Sequence, residues 1–150
     1  MIDSNKIPKG LIPLIEEKLR GRTDEINFPP PVFDVMKGEV VDYDMAKETL
    51  TTRFPVLPEQ LNPYGNMQGG IIAAAVDNTI GPLSLLVSPP NFTRHMELKY
   101  AKVISPDLGF IYVKARFVEK KKRMLFFEAI VENSAGEKLA TAKSIHWVID

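Results

Sequence analysis

The residues of this 150-residue chain that could do chemistry lie together in the stretch 62–77, which reads NPYGNMQGGIIAAAVD. Its first half is a polar loop that contains glycine, and its second half has the composition of an apolar helix. Gly69 and Gly70 stand where that helix should begin, and Asp77 lies about two turns inside it. The stretch therefore combines backbone amides at a helix start with one carboxylate.

The glycine pair would let a substrate approach the backbone closely. The first amides of a helix have no partner inside the helix and carry the positive end of its dipole. Because glycine has no side chain, a carbonyl oxygen can reach these amides, which then form an oxyanion hole from main chain alone. One such donor stabilises a transition state by about 3–4 kcal/mol. The alternative is that Gly69 and Gly70 only permit a tight turn, and their spacing does not decide between the two.

Asp77 is flanked by apolar residues, Ile71 to Val76 and Ile80, so the helix is predicted to be buried on nearly all sides. A buried carboxylate is costly unless it is paired or functional. The structural alternative is a hydrogen bond to a neighbouring strand, or a narrow polar stripe shared with Asn78 and Thr79.

Geometry constrains how these groups could cooperate. Gly69 and Asp77 are eight residues apart, which is about 12 Å along a helix axis. Asp77 cannot reach a carbonyl held at the N-terminus of its own helix across that distance. If both groups act on one substrate atom, the carboxylate must come from a second copy of the chain, at a dimer interface with antiparallel helices side by side.

Composition narrows the classes of function. The 19 basic and 19 acidic side chains balance, so no net charge points to nucleic acid or an anionic membrane. There is no cysteine, which excludes disulfides, thiolate catalysis and cysteine-ligated metal. The apolar run 69–87 contains Asp77 and Pro82, which makes it a poor membrane span, and the opening residues lack the apolar core of a signal peptide. We expect one cytoplasmic, soluble domain without a cofactor.

The elements before the central stretch are predicted from periodicity and proline. Residues 11–20 are predicted to form a short helix that ends at Gly21, with apolar side chains at four-residue spacing. The proline run 29–31 favours an extended connection that ends any helix. Residues 1–31 are therefore predicted to be an N-terminal extension packed on a main domain of residues 32–150. Strand-like alternation is predicted between residues 32 and 54, with a turn at residues 37–38.

After the helix come four alternating runs, each typical of a strand: 93–104, 110–119, 124–132 and 137–149. The connections are too short for crossover helices, so an antiparallel meander is predicted. Thr93 and His95 should share one face of the first run, which would bring His95 near the helix. The expected fold class is α+β, with one sheet burying a face on the long helix. Dimerisation would cover the remaining sheet face and edges.

The spacing of these residues resembles that of a known family. The pattern Asn62-x-x-Gly65-x-x-Gln68-Gly69-Gly70, an acid at 77 and then Thr93-x-x-Met-x-Leu-x-Tyr resembles the hotdog-fold acyl-CoA thioesterases. The branch it looks most like is the phenylacetate-pathway type, with Asn-x-x-Gly-x-x-His-Gly-Gly and a helical Asp. The resemblance runs from about residue 40 to residue 147. It implies a hotdog fold, in which a sheet wraps a long helix, and a homodimer, with pairing of dimers left open.

The resemblance implies a role for each matching residue. Asp77 would be the nucleophile or the base that activates water. The Gly69 amide would polarise the thioester carbonyl, and Asn62 would orient the substrate or the water. The Thr93 hydroxyl would help to hold that water. The residues implied in substrate binding are Gln68, Gly70 and Gly65, and the implied substrate is a fatty or aromatic acyl thioester of CoA or an acyl carrier protein.

Gln68 departs from the family pattern, which has histidine there. An imidazole can transfer a proton near neutral pH, whereas a glutamine amide only donates and accepts hydrogen bonds. Two functions follow: a thioesterase, or a hotdog protein that binds acyl-CoA or acyl carrier protein without turnover. A dehydratase needs a histidine with an acid in its motif, and neither His95 nor His146 has that context. Both histidines are expected to be structural.

Overall fold

The computed structural model describes Ile2, residues 5–20 and residues 26–149. Within these residues the chain forms three α-helices and six strands. The helices are α1 (Ile12–Lys18), α2 (Pro31–Val35) and α3 (Gly69–Val87). The strands are β1 (Glu39–Asp44), β2 (Thr49–Pro55), β3 (Asn91–Tyr100), β4 (Phe110–Lys121), β5 (Met124–Glu132) and β6 (Lys138–Val148). The glycine where α3 was predicted to begin, Gly69, is its first residue.

The six strands form one antiparallel sheet in the order β1-β2-β4-β5-β6-β3. Helix α3 packs against one face of this sheet, chiefly on β4 and also on β2, β3 and β5. The strands in the middle of the sheet alternate buried positions with half-buried or exposed ones, as a sheet with one covered face requires. The α+β class, with a long helix against an antiparallel sheet and a short N-terminal helix, is confirmed.

The predicted four-strand meander is wrong at its first strand. Strand β3 pairs with β6 at the edge of the sheet, and β4 pairs instead with β2. The connection 101–109 starts at the end of β6, where the amides of Ala101 and Lys102 donate to the Leu139 carbonyl, and the Ile104 carbonyl then accepts from the amide of Met67, in the loop before α3, at 2.8 Å. Three strand spacings are about 14 Å, and nine residues span about twice that distance. The short connection excluded a crossover helix but did not require neighbouring strands.

The strand prediction is also wrong for residues 32–35, which belong to α2. Pro31 is its first residue, a position where proline fits because that amide needs no partner inside the helix. The turn predicted at residues 37–38 is present, with Lys37 at φ 55°. A side chain at Gly38 would lie within 3 Å of the rings of Phe33 and Phe54, so close packing of these rings requires glycine there.

Helix α3 has the length and apolar composition of a membrane span, but it lies against the sheet with just over half of it buried. Its side chains contribute much of the hydrophobic core, and Thr79 forms a fully buried 2.7 Å hydrogen bond with Thr52 of β2. A polar pair that is satisfied inside the core fixes the rotation of the helix against the sheet. The apolarity of the helix is explained by this packing.

The N-terminal extension shares the core of the rest of the chain. Leu11, Ile15 and Leu19 are buried and belong to the same hydrophobic cluster as the side chains of α3 and the sheet. The helix predicted over residues 11–20 is confirmed, although its first turn is a 3₁₀ turn at Lys9–Leu11. The predicted stop at Gly21 lies outside the described residues, and the boundary at residue 31 stays a prediction.

This packing predicts the effect of shortening one core side chain of α1. Ile15→Ala should lower the free energy of unfolding by about 2–4 kcal/mol, because it leaves a cavity in a shared core. The matched control, Glu16→Ala, changes an exposed neighbour and should change stability by less than about 0.5 kcal/mol. Urea unfolding followed by fluorescence measures both values. Loss of the extension in a separate transition, with the main transition unmoved, would contradict a shared core.

Candidate functional site

Asp77 lies on α3 and faces strand β3. Its carboxylate accepts a 2.9 Å hydrogen bond from the Thr93 hydroxyl. Asp77 is half-buried, which corrects the expectation that the helix is covered nearly all round. Of the two structural alternatives, the hydrogen bond to a neighbouring strand is confirmed. The polar stripe is wrong, because Asn78 and Thr79 are buried and bonded to the carbonyls of Ala74 and Ala75. Asp77 therefore has one oxygen held by a hydroxyl and access to solvent.

A β-bulge brings Thr93 to Asp77. Thr93 is opposite His146 of β6, but His95 is opposite Ile145, so Arg94 is the additional residue on β3. A bulge of this kind changes the face on which the next side chain lies. Thr93 consequently shares the helix-facing side of the sheet with His146, whereas His95 points to the other side. The expectation that Thr93 and His95 share a face is wrong for this reason.

His146 belongs to this site, although the sequence predicted for it only a structural role. It is 2% exposed, lies 4.9 Å from the Phe127 ring, and its Nε2 is 3.4 Å from the Thr93 hydroxyl. Its Nδ1 is 2.8 Å from Asn91 Oδ1. The Asn91 amide nitrogen donates to the Pro89 carbonyl at 2.9 Å, so Oδ1 is the acceptor for Nδ1–H. Nε2 is then left as an acceptor beside Thr93.

Burial lowers the pKa of His146 from its ordinary value of 6.5, and the negative charge of Asp77 opposes part of that change. The neutral imidazole is therefore the favoured form in the folded protein. The hydroxyl of Thr93 has a single proton, and the closer of its two acceptors is Asp77. The resulting chain of contacts runs from Asn91 through His146 and Thr93 to the carboxylate.

The N-terminus of α3 and the loop before it form a second group of predicted residues. Asn62 Oδ1 accepts from the amides of Tyr64 at 3.0 Å and Asn66 at 3.2 Å, so this oxygen stabilises the loop. Among the described residues, the side-chain nitrogen of Asn62, Nδ2, has no hydrogen-bond partner. Gly65 has φ +80°, a conformation that favours glycine and shapes the turn. Substrate contacts by Asn62 and Gly65 stay predictions.

The first amides of α3 are available to a ligand. The amides of Ile71 and Ile72 donate to the Gln68 carbonyl, but among the described residues those of Gly69 and Gly70 have no acceptor. The Gln68 side chain is exposed next to them, and a Cβ at Gly70 would lie 3.7 Å from its Oε1. This end of the helix therefore has two free hydrogen-bond donors, the backbone N–H groups of Gly69 and Gly70, beside the uncharged side chain of Gln68.

Tyr100 is a second residue near the site to which the sequence analysis assigned no role. Its hydroxyl donates to the Gly69 carbonyl at 2.9 Å, and a Cβ at Gly69 would lie 3.3 Å from its ring. Strand β3 thus contacts α3 at two places: Thr93 contacts Asp77, and Tyr100 contacts Gly69.

A cleft of about 380 Å³ opens beside Asp77. Its polar lining includes Asp77, Thr93, Asn91 and His146. Its other wall includes Ile26, Asn27, Phe28 and Pro30 of the N-terminal extension, where the sequence showed nothing diagnostic. Smaller depressions lie on the outer sheet face, where charges such as Arg116 and Glu128 are already paired at 2.7 Å. The cleft beside Asp77 is therefore the candidate active site.

Comparisons with solved structures identify the architecture. A mutant form of the phenylacetic acid degradation protein PaaI of Thermus thermophilus matches with a TM-score of 0.72 at 16% identity, over 80% of this chain and 100% of that one. The chain has the hotdog fold. A thioesterase of Haemophilus influenzae matches this fold with a TM-score of 0.71 at 11% identity, over 79% and 82% of the two chains.

A third hotdog match is a Streptococcus mutans protein solved with acetyl-CoA, with a TM-score of 0.68 at 21% identity, over 75% of this chain and 88% of that one. No protein-family model matches the sequence, and no curated protein sequence matches it. At these identities the similarity establishes the fold, and the function has to be argued from the site.

The burial of His146 predicts a pH dependence of stability. Because the folded pKa lies below the ordinary value of 6.5, the unfolded chain binds more protons below that pH, and the free energy of unfolding should fall as pH decreases from 6.5 towards the folded pKa. His146→Gln should reduce this slope in urea unfolding series between about pH 7.5 and about pH 5.5. The control, His95→Gln, removes an imidazole whose side chain is 60% exposed and should keep the wild-type slope. An unchanged slope in His146→Gln would contradict the assignment.

Proposed function

We propose that this protein is an acyl-CoA thioesterase that hydrolyses its substrate at a two-fold interface between two copies of the chain. The observation that carries the proposal is Asp77, half-buried in a cleft and hydrogen-bonded to Thr93, on the same helix whose N-terminal amides are free. Structural neighbours support it, since one is a thioesterase and another binds acetyl-CoA.

The two-fold arrangement is supported by the edge of the sheet. Gly69 and Asp77 belong to one continuous helix, so about 12 Å separates them along its axis. Strand β3 contacts α3 at both Gly69 and Asp77. It is exposed along most of its length, with Phe92 at 48% and Tyr100 at 52% exposure. An unpaired edge strand with exposed aromatic side chains is a surface that a second copy can cover.

In the proposed reaction, Asp77 accepts a proton from water as the water oxygen bonds to the thioester carbonyl carbon. The carbonyl oxygen becomes negatively charged and accepts the hydrogen bond of the Gly69 amide from the second copy. The tetrahedral intermediate then collapses and breaks the carbon–sulfur bond. The departing thiolate takes the proton from Asp77, so the products are a carboxylic acid and free CoA.

The direct test is release of free thiol from a panel of fatty and aromatic acyl-CoA substrates. Asp77→Asn keeps the shape of the side chain but removes the base, and it should reduce kcat by about 10²-fold or more. Wild-type protein that binds acyl-CoA tightly and releases no thiol from any substrate would favour the alternative, a non-catalytic acyl-CoA or acyl-carrier-protein binder. This alternative is favoured by Gln68, because its neutral amide stands where the family pattern has histidine and cannot transfer a proton.

A second prediction isolates the amide of Gly69. Gly69→Pro removes this N–H, and proline suits the first position of a helix after Gln68, whose ψ is 141°. We expect kcat to fall by about 10²- to 10³-fold, the effect of losing one oxyanion donor. The matched control is Gly69→Ala, which also adds a Cβ near Tyr100 but keeps the N–H. Equal losses in the two variants would show that bulk matters and the donor does not.

A third prediction tests whether the site is shared between copies. In a dimer of one Asp77→Asn subunit and one Gly69→Pro subunit, one of the two sites combines an intact Asp77 with an intact Gly69. Random re-association of equal amounts makes half the dimers mixed, so about one quarter of wild-type activity should return. The measurement is thiol release after co-refolding, with each variant alone as control. No recovery, despite mixed dimers detected by mass spectrometry, would overturn the shared site.

A further inference from the structure

We infer that the N-terminal segment 26–30 forms the wall of the acyl-binding pocket and limits the size of the acyl group. This inference rests on the proposed function and adds a substrate class to it: thioesters of short or single-ring acyl groups. Nothing in the sequence motif points to this segment, because the family resemblance begins about ten residues after it. The assignment comes from where the segment lies in the fold.

The lining of the cleft beside Asp77 combines a polar cluster with apolar side chains. Asp77, Thr93 and His146 form the polar cluster, where the thioester carbonyl would be attacked. Apolar side chains from four parts of the chain also line the cleft: Ile26 and Phe28 from the segment, Leu85 from α3, Phe92 from β3, and Ile149 after β6. A group bonded to a carbonyl at Asp77 would therefore extend over apolar surface, as a hydrocarbon acyl group requires.

The segment is held in place by its neighbours. The Phe28 side chain is 3% exposed and belongs to the central core, and Phe28 forms a parallel bridge with Ile2. At the other end, the Pro30 carbonyl accepts from the Phe33 amide at 3.0 Å and so begins α2. Ile26 is half-buried and packs against the core. A wall held at Phe28 and Pro30 can set the size of a pocket.

The volume of the cleft is consistent with an acyl group as its occupant. Pockets for complete small-molecule ligands occupy about 300–1,000 Å³, and this cleft of about 380 Å³ is near the lower limit. It is large enough for an acyl group but not for the whole of a CoA thioester. The nucleotide part would lie outside the cleft, on the surface that the second copy completes.

The test compares variants of the wall on a graded panel of acyl-CoA substrates, from acetyl to long-chain acyl, with phenylacetyl as the aromatic member. Ile26→Ala should enlarge the pocket, and the ratio of kcat/KM for long over short substrates should rise by about tenfold, because each methylene in a fitted pocket changes kcat/KM by that order. Ile26→Trp should change the ratio in the opposite direction. Phe28→Ala should act like Ile26→Ala if it folds.

The matched control is Leu14→Ala, which removes a half-buried leucine of the same extension that lines a different crevice, with Leu86 and Val87. Its substrate profile should equal that of the wild type. Thiol release by the wild type with the same profile in both Ile26 variants would overturn the inference and leave the proposed function standing. If no substrate is hydrolysed, the proposed function fails.

In that case, calorimetric binding of the same acyl-CoA panel decides the inference separately. A shift towards longer acyl groups in Ile26→Ala supports the wall, and unchanged affinities across the panel overturn it.

Discussion

The rigidity of α3 is the constraint on which the rest of the candidate site depends. This single helix carries the free backbone amides of Gly69 and Gly70 at its N-terminus and the carboxylate of Asp77 two turns later. The buried Thr52–Thr79 hydrogen bond of 2.7 Å holds the helix against the sheet. An α-helix cannot shorten by several ångströms without breaking its own hydrogen bonds. The two chemical groups of one chain therefore stay apart, and any cooperation between them has to cross an interface.

The edge strand β3 contacts α3 at both of these separated groups. Strand β3 runs beside α3 and supplies a hydroxyl at each end, from Thr93 to Asp77 and from Tyr100 to the Gly69 carbonyl. A regular strand would have directed Thr93 to the same face as His95, away from the helix. The bulge at Arg94 changes that face and costs one unpaired residue at an edge, where the loss to the sheet is smallest.

Local patterns in the sequence were enough for part of this arrangement. The apolar run after Gly69 identified α3, and alternation identified β4 and β5. The resemblance to the hotdog thioesterases, and not periodicity, related Asp77 to Thr93. The pairing of β3 with β6 could not be predicted in this way, because side-chain periodicity says nothing about which strands are neighbours. His146 was consequently predicted to be structural, although it lies 3.4 Å from Thr93. The cleft wall at residues 26–30 was missed for the same reason, since only the folded chain brings it to Asp77.

The path of the chain from β3 to β4 has a consequence for biosynthesis. Strand β3 has no neighbour in the sheet until β6 is made, and β6 is translated after β4 and β5. While the ribosome is still adding these strands, Thr93 lacks the partner strand that sets its bulge, and His146 does not yet exist. A nascent chain can therefore contain Asp77 and Thr93 before β3 has a partner strand, and the site is completed only after β6 pairs with β3. Translation order thus separates synthesis of the carboxylate from completion of its surroundings.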